Sequence, residues 1–135
     1  MKRWGIPIVL IALVVVLSGC GLLNMEKVKL RDLEFVIVSE ELIPAELKTI
    51  IDERKQEEFK LTFADADALY ICVGYGQQKT GGFSITVDEL YLTENAIYAE
   101  TTLLGPDGSE KVSKAPSYPY IVIKTEALDE TVVCE

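Results

Sequence analysis

The chain has 135 residues, with 13 basic side chains, 22 acidic side chains and no histidine, and its formal net charge is −9. Without histidine there is no His-based metal site, no Ser-His-Asp triad and no Cys-His dyad. The negative charge argues against binding to a nucleic acid, because contacts to a phosphate backbone need clustered lysine and arginine. The length predicts one domain of ordinary size.

The N-terminus has the pattern of an export sequence. Lys2 and Arg3 precede an apolar run over residues 6–17, which is 12 residues long and too short to span a bilayer core comfortably. The run ends at Ser18-Gly19-Cys20, and small residues directly before a cysteine resemble the lipobox of bacterial lipoproteins. This resemblance implies that residues 1–19 are a lipoprotein signal peptide. An ordinary secretory signal and an uncleaved anchor are the alternatives.

A lipoprotein signal implies a lipid on the sulfur of Cys20. Two or three acyl chains hold a protein stably on a membrane, whereas one chain does not. We therefore expect residues 20–28 to be the lipidated cysteine and a tether, and residues 29–135 to be a single globular domain. The expected location is outside the cytoplasm, anchored to the bacterial cell envelope.

The first predicted elements of this domain are a strand and a helix. Residues 33–38 are rich in β-branched and aromatic side chains and predict a strand. Pro44 suits the first turn of a helix, and Leu47, Ile50 and Ile51 share one apolar face at helical spacing. The pattern predicts a helix over about residues 44–57.

The rest of the domain reads as strands. Alternating or continuous apolar runs predict them over residues 59–63, 69–73, 83–87, 96–104, 118–124 and 131–133. The continuous run at 69–73 is typical of a strand covered on both faces. The predicted fold class is α+β and strand-rich: a mostly antiparallel sheet or small β-sandwich with one packed α-helix.

Two cysteines remain after Cys20. An extracytoplasmic location permits a disulfide between Cys72 and Cys134. The alternative is a pair of free thiols, since Cys72 lies in an apolar run where cysteine behaves as a small core residue. A catalytic role is not expected, because the chain has no histidine to activate either thiol.

Three stretches are weighed as functional candidates. Asp65 and Asp67 are alternate carboxylates, but the further ligands of a calcium loop are absent, so a solvated turn is expected and no metal site.

Residues 74–83 are glycine-rich, but the order of a phosphate-binding loop is not met and no helix follows, so no nucleotide or other cofactor is expected. This segment is either a structural bend or a partner-binding loop. Residues 118–120 are either a proline-shaped strand entry or an aromatic contact surface.

The last two stretches carry a paired motif. Residues 76–84 read G-Q-Q-K-T-G-G-F-S and residues 117–124 read S-Y-P-Y-I-V-I-K. Together they resemble the two signatures of the PrcB-type C-terminal domain, a family named for a subunit of a protease complex. The resemblance covers about residues 70–125, with Lys79 as a departure from the family pattern. It implies no catalytic residues.

The expected function is therefore a non-enzymatic, membrane-anchored accessory module that binds a protein, as a stabilising subunit of a secreted or surface protease. The proposed contact face consists of residues from the glycine-rich loop and the strand entry, with a partner strand adding to an open sheet edge. Its residues are Gly76, Gln77, Gln78, Lys79, Thr80, Gly81, Gly82, Tyr118, Pro119 and Tyr120. The alternative is an envelope lipoprotein or sensor that binds a small ligand in a pocket between sheet and helix.

Overall fold

The computed structural model describes residues 28–108 and 111–135. The predicted signal peptide at 1–19, the predicted lipidation site at Cys20 and residues 21–27 of the predicted tether lie outside this part of the chain. None of the helices in the described part is long and apolar enough to cross a membrane.

The described chain forms two four-stranded sheets and one α-helix. The elements are β1 (Arg31–Asp32), β2 (Phe35–Ile37), a 3₁₀ turn (Glu40–Leu42), α1 (Ala45–Arg54), β3 (Glu58–Ala64), β4 (Ala68–Tyr75), β5 (Ser84–Leu92), β6 (Ala96–Leu104), β7 (Tyr120–Glu126) and β8 (Thr131–Cys134). Sheet I has the order β1-β5-β6-β8, and sheet II has the order β2-β7-β4-β3. The predicted class, a small sandwich with one packed helix, is confirmed.

Sheet II is the middle layer of the molecule. One face packs against sheet I through a core that includes Ile71, Ile97 and Ile123. The other face packs against α1, whose Leu47 and Ile51 are fully buried. Hydrophobic burial on both faces explains why β4 has a continuous apolar sequence, since successive side chains of a strand point to opposite faces.

The observed boundaries differ from the predicted ones at several elements. The strand predicted over 118–124 is Tyr120–Glu126, and the strand predicted over 83–87 extends to Leu92. The predicted strand at 33–38 is divided, because the chain leaves sheet I after Asp32 and joins sheet II at Phe35, with Leu33 buried between the sheets. The helix ends at Arg54 rather than at residue 57, and the amide of Lys55 closes its last turn on the carbonyl of Ile51.

All strand pairs are antiparallel except one. β8 pairs in parallel with β6, from Ala96 opposite Thr131 to Ala99 opposite Cys134. This pairing makes β8 an edge strand of sheet I, next to β3 at the edge of sheet II.

Candidate functional site

The structure brings the two motif segments together at one end of the sandwich. Gln78 and Ser117 exchange backbone hydrogen bonds of 2.8 and 3.1 Å, in an isolated antiparallel bridge. The amide of Gly81 donates to the carbonyl of Ser113 at 2.9 Å, and the amide of Tyr75 donates to the carbonyl of Pro119 at 3.1 Å. The glycine-rich loop and the strand entry are therefore one structural unit, which we call the motif face.

Two glycines of the loop have a conformation that other residues rarely adopt. Gly76 has φ = 77° and Gly82 has φ = 87°, in the left-handed region that glycine occupies without a steric penalty. A Cβ on Gly82 would lie 2.4 Å from Cγ1 of Val112. A side chain at this position would therefore change the backbone of the loop as well as its surface.

Side chains of the motif also hold the loop in place. The amide nitrogen Nε2 of Gln78 donates to the carbonyl of Tyr75 at 3.1 Å, and the hydroxyl of Ser117 donates to the carbonyl of Thr80 at 2.6 Å. Gln77 and Lys79 are exposed. The motif thus contains residues that build the loop and, between them, residues that face solvent.

The strand entry at Tyr118-Pro119-Tyr120 is half-buried and borders a groove of about 270 Å³. The Tyr120 hydroxyl donates to Oε1 of Glu40 at 3.4 Å, and partial burial, followed by the charge of Glu40, raises the pKa of this tyrosine. The ammonium of Lys55 lies 5.9 Å from the centre of the Tyr118 ring, within the range of a cation–π contact. The groove is lined mainly by apolar side chains, including Ile37 and Ile43.

The two cysteines are free thiols. Cys72 is in the core on the helix side of sheet II, whereas Cys134 packs against the core between the sheets. Because the two side chains lie on opposite sides of sheet II, the structure does not form the disulfide weighed from the sequence. Burial raises the pKa of Cys72 to about 12 and also raises the pKa of Cys134, so neither is an activated nucleophile.

Asp65 closes a turn. Its Oδ1 accepts hydrogen bonds from the amides of Asp67 and Ala68 at 2.8 and 2.9 Å, as expected for an Asx turn. No group of three or more metal-ligating side chains occurs within residues 28–108 and 111–135.

Two cavities lie along the open side between the two sheets. A cavity of about 560 Å³ is lined by parts of β3 and β8, including Lys60, Thr62 and Cys134. A second cavity of about 290 Å³ adjoins Tyr75, Thr101 and Cys134. Between sheet and helix, apolar side chains such as Phe59, Tyr70 and Val122 fill the interior, and a cavity of about 450 Å³ at the end of α1 is lined mainly by charged side chains such as Glu53, Arg54 and Glu58.

A basic surface lies beside the motif face and was not predicted from the sequence. Lys111 and Lys114 are exposed on the segment that contacts Gly81 and Gly82. Neither lysine stands out in the sequence. They lie near Lys79 only because the two segments pair in the fold. The absence of acidic residues from 68–87 and from 111–125 was the available signal.

One family model matches the chain. The model described as PrcB C-terminal matches residues 69–126, which confirms the resemblance read from the paired motif. The matched segment runs from β4 to the end of β7 and contains the complete motif face. No curated protein and no solved structure matches the chain.

Proposed function

Residues 69–126 match the PrcB C-terminal family, and from that premise we propose that the protein is a membrane-anchored accessory lipoprotein of the bacterial envelope. In this proposal it binds a secreted or surface protease and stabilises it, without being an enzyme itself. The observation that carries the proposal is the family match, because the family is named for a subunit of a protease complex.

The lipid anchor is supported by the order of features at the N-terminus. A basic start, a short apolar run and small residues before Cys20 occur in the sequence expected of a lipoprotein signal. The first backbone contact to the sheet is that of Leu30, whose amide donates to the carbonyl of Leu92, and nine residues lie between it and the lipidated cysteine. Fully extended, nine residues reach about 32 Å at most, which holds the domain close to the membrane surface.

The non-enzymatic role is supported by the residues available for chemistry. The chain has no histidine, and both remaining thiols have raised pKa values. The motif residues Gln78, Thr80 and Ser117 are engaged in backbone contacts. Such an arrangement is suited to holding a rigid surface for a partner.

Strand addition remains part of the proposal, and β2 is the sheet edge best suited to it. Phe35, Val36 and Ile37 are all exposed, and Ile37 borders the groove beside Tyr118 and Pro119. Strand β1 pairs with β5 only at Tyr91 and Leu92. The unpaired remainder of β5 is less suited, because a β-bulge and the carboxylates of Asp88 and Glu89 interrupt it. A partner strand beside β2 would bury these apolar side chains.

The first experiment tests anchor and partner separately, using the full chain expressed in its own cells. Mass spectrometry of the purified protein should find a diacylglycerol on Cys20, and Cys20→Ala should release the protein from the membrane. Unmodified Cys20 would refute the anchor.

The second arm of this experiment asks whether a protease depends on the protein. A protease should co-purify with the full chain from detergent-solubilised envelopes, and its half-life should fall several-fold in cells lacking the lipoprotein. If the amounts and half-lives of all envelope proteases stay unchanged, the accessory role is wrong even where Cys20 is lipidated.

The alternative function, small-ligand binding, is favoured by the cavity of about 560 Å³ along β3 and β8, a volume within the range of ligand sites. It predicts that a ligand raises the melting temperature of the protein. A screen of metal ions, sugars and short peptides that leaves the melting temperature unchanged would argue against it.

A further inference from the structure

The motif face is a basic region of an acidic protein. Lys79 is the sole charged residue within 68–87, and the charged residues within 111–125 are Lys111, Lys114 and Lys124. The chain as a whole has a net charge of −9. Pairing of the two segments therefore concentrates positive charge at one end of the sandwich.

Three of these lysines lie close together along the backbone contacts of the motif face. Lys79 stands between Gln78, which pairs with Ser117, and Gly81, which pairs with Ser113. Lys114 follows Ser113 directly, and Lys111 precedes Val112, the residue beside Gly82. All three lysines are exposed, and none forms a salt bridge among the described residues.

Carboxylates also lie at this end of the molecule, but at its margins. Asp107 is in the turn that precedes the lysine-bearing segment. Glu57 neighbours Gln56, whose carbonyl accepts from the amide of Gln77, and Glu40 contacts Tyr120. Glu58 adjoins Gly76, and Glu110 precedes Lys111 in the sequence. Positive charge is therefore centred on Lys79 and Lys114, at the contact between the two segments.

This face points away from the end where the tether enters. The described chain begins beside the end of β5, where the amide of Leu30 donates to the carbonyl of Leu92. The glycine-rich loop lies at the beginning of the same strand, before Ser84. Nine residues of antiparallel strand span roughly 27 Å at about 3.4 Å per residue step, so the lysines lie at the end of the sandwich opposite the tether.

We propose that the motif face, together with the adjoining segment 111–114, docks an acidic segment of the protein partner through Lys79, Lys111 and Lys114. The inference rests on the proposed function and specifies the chemistry of that partner. The exposed ammonium groups attract the segment and fix its orientation, and the apolar groove at Tyr118 and Pro119 takes one of its hydrophobic side chains. A protein segment fits better than an anionic polysaccharide, because a polysaccharide would leave this groove unfilled.

Zero-length cross-linking tests the docking site in the protein as it exists. Intact cells or envelopes are treated with a water-soluble carbodiimide. The reagent activates a carboxylate, a lysine amine in contact with it forms an amide, and the reagent leaves as a urea. Peptide mass spectrometry should find Lys79, Lys111 or Lys114 joined to Asp or Glu of one protein. Cross-links that fall mainly on Lys124 or Lys60, or that join the three lysines to a carboxylated polymer, would overturn the proposal.

Charge reversal supplies the matched comparison. Lys79→Glu combined with Lys114→Glu should lower recovery of the partner, co-purified without a cross-linker, about tenfold at low salt, and the difference should shrink at high salt, because rim charges act mainly on association. Lys124→Glu, an exposed lysine on β7, is the control and should change recovery less than twofold. Equal losses in both variants would indicate general repulsion and refute the site.

The outcomes also separate this inference from the proposed function. A protease that depends on the lipoprotein but is unaffected by Lys79→Glu with Lys114→Glu would leave the accessory role standing and refute the docking site. Circular dichroism and melting temperature of the variants show that they are folded, which is expected because both side chains are exposed.

Discussion

The two strands that carry the remaining cysteines, β4 and β8, show two different ways in which a strand is held. Strand β4 is paired on both sides and covered on both faces, and its residues from Ala68 to Gly74 are buried. Strand β8 is paired on one side, and none of its four residues is fully buried. The stability of this fold should therefore depend mainly on the centre of sheet II, whereas the edge strand beside the cavity should contribute little.

The largest expected difference concerns core truncation. Ile71 in β4 is fully buried between the sheets, so Ile71→Ala should lower the free energy of unfolding by about 3–4 kcal/mol. Val133→Ala in β8, which is half-buried, should cost roughly 1 kcal/mol. Urea denaturation of both variants measures the difference, and equal losses would mean that the edge strand is as strongly held as the centre.

Gly74 tests how closely β4 is packed. A Cβ at this position would lie 2.1 Å from Cε1 of the buried Phe59 ring, so Gly74→Ala should destabilise the protein by about 2 kcal/mol through displacement of the ring. Gly108→Ala is the control, since nothing lies within 4 Å of a Cβ there. A thermal melt that shows Gly74→Ala to be neutral would imply that Phe59 moves at little cost.

The buried thiol of Cys72 makes stability depend on alkaline pH. Burial raises its pKa from 9.0 to about 12, so the folded state keeps the proton that the unfolded state loses. This stabilising effect is complete below pH 9 and is lost as the pH rises towards 12, because the unfolded state then binds fewer protons.

At about pH 10, titration of Cys72 should lower the free energy of unfolding by roughly 1 kcal/mol, at 1.36 kcal/mol per pH unit. Comparison of wild type with Cys72→Ala at about pH 8 and pH 10 isolates this group from the titration of tyrosines and lysines. The variant is less stable at both pH values, but its further loss between them should be smaller. Identical losses would contradict the assignment.

The smallest effect concerns the attachment of β8. Nζ of Lys60 donates to the carbonyl of Cys134 at 3.0 Å, and this exposed contact should contribute less than about 0.5 kcal/mol to global stability. Lys60→Met should nevertheless increase the rate of Cys134 modification by a maleimide several-fold, because local opening of the edge becomes easier. Lys124→Met is the control, and the rate at Cys72 should stay unchanged in both variants.

The layered centre could be read from the sequence because its local pattern and its burial agree. The continuous apolar run of β4 predicted a strand covered on both faces, and the spacing of Leu47 and Ile51 predicted the helix face. Each of these depends on neighbours in the chain.

The pairing of the edge strands could not be predicted from the sequence, because their partner strands are distant in the chain. Nothing local at residues 33–38 indicates that Leu33 turns the chain from one sheet into the other. The parallel pairing of β8 with β6 likewise has no signature in its four residues. At the motif face, the loop and the strand entry were identified from the sequence. The bridge between Gln78 and Ser117, which brings the lysines together, could be found only in the structure, because it joins residues that are distant in the chain.

The pairing of β2 with β7 also bears on how fast the domain folds. Phe35 lies opposite Thr125, about 90 positions away in the chain. Arg31 likewise lies opposite the distant Leu92. Folds dominated by such distant pairings pay a large loop-closure entropy before the contacts form, and they fold in milliseconds to seconds. Until residue 125 is in place, the backbone of β2 has no pairing partner on either side, so the unfinished chain carries an unpaired apolar strand that is prone to aggregation.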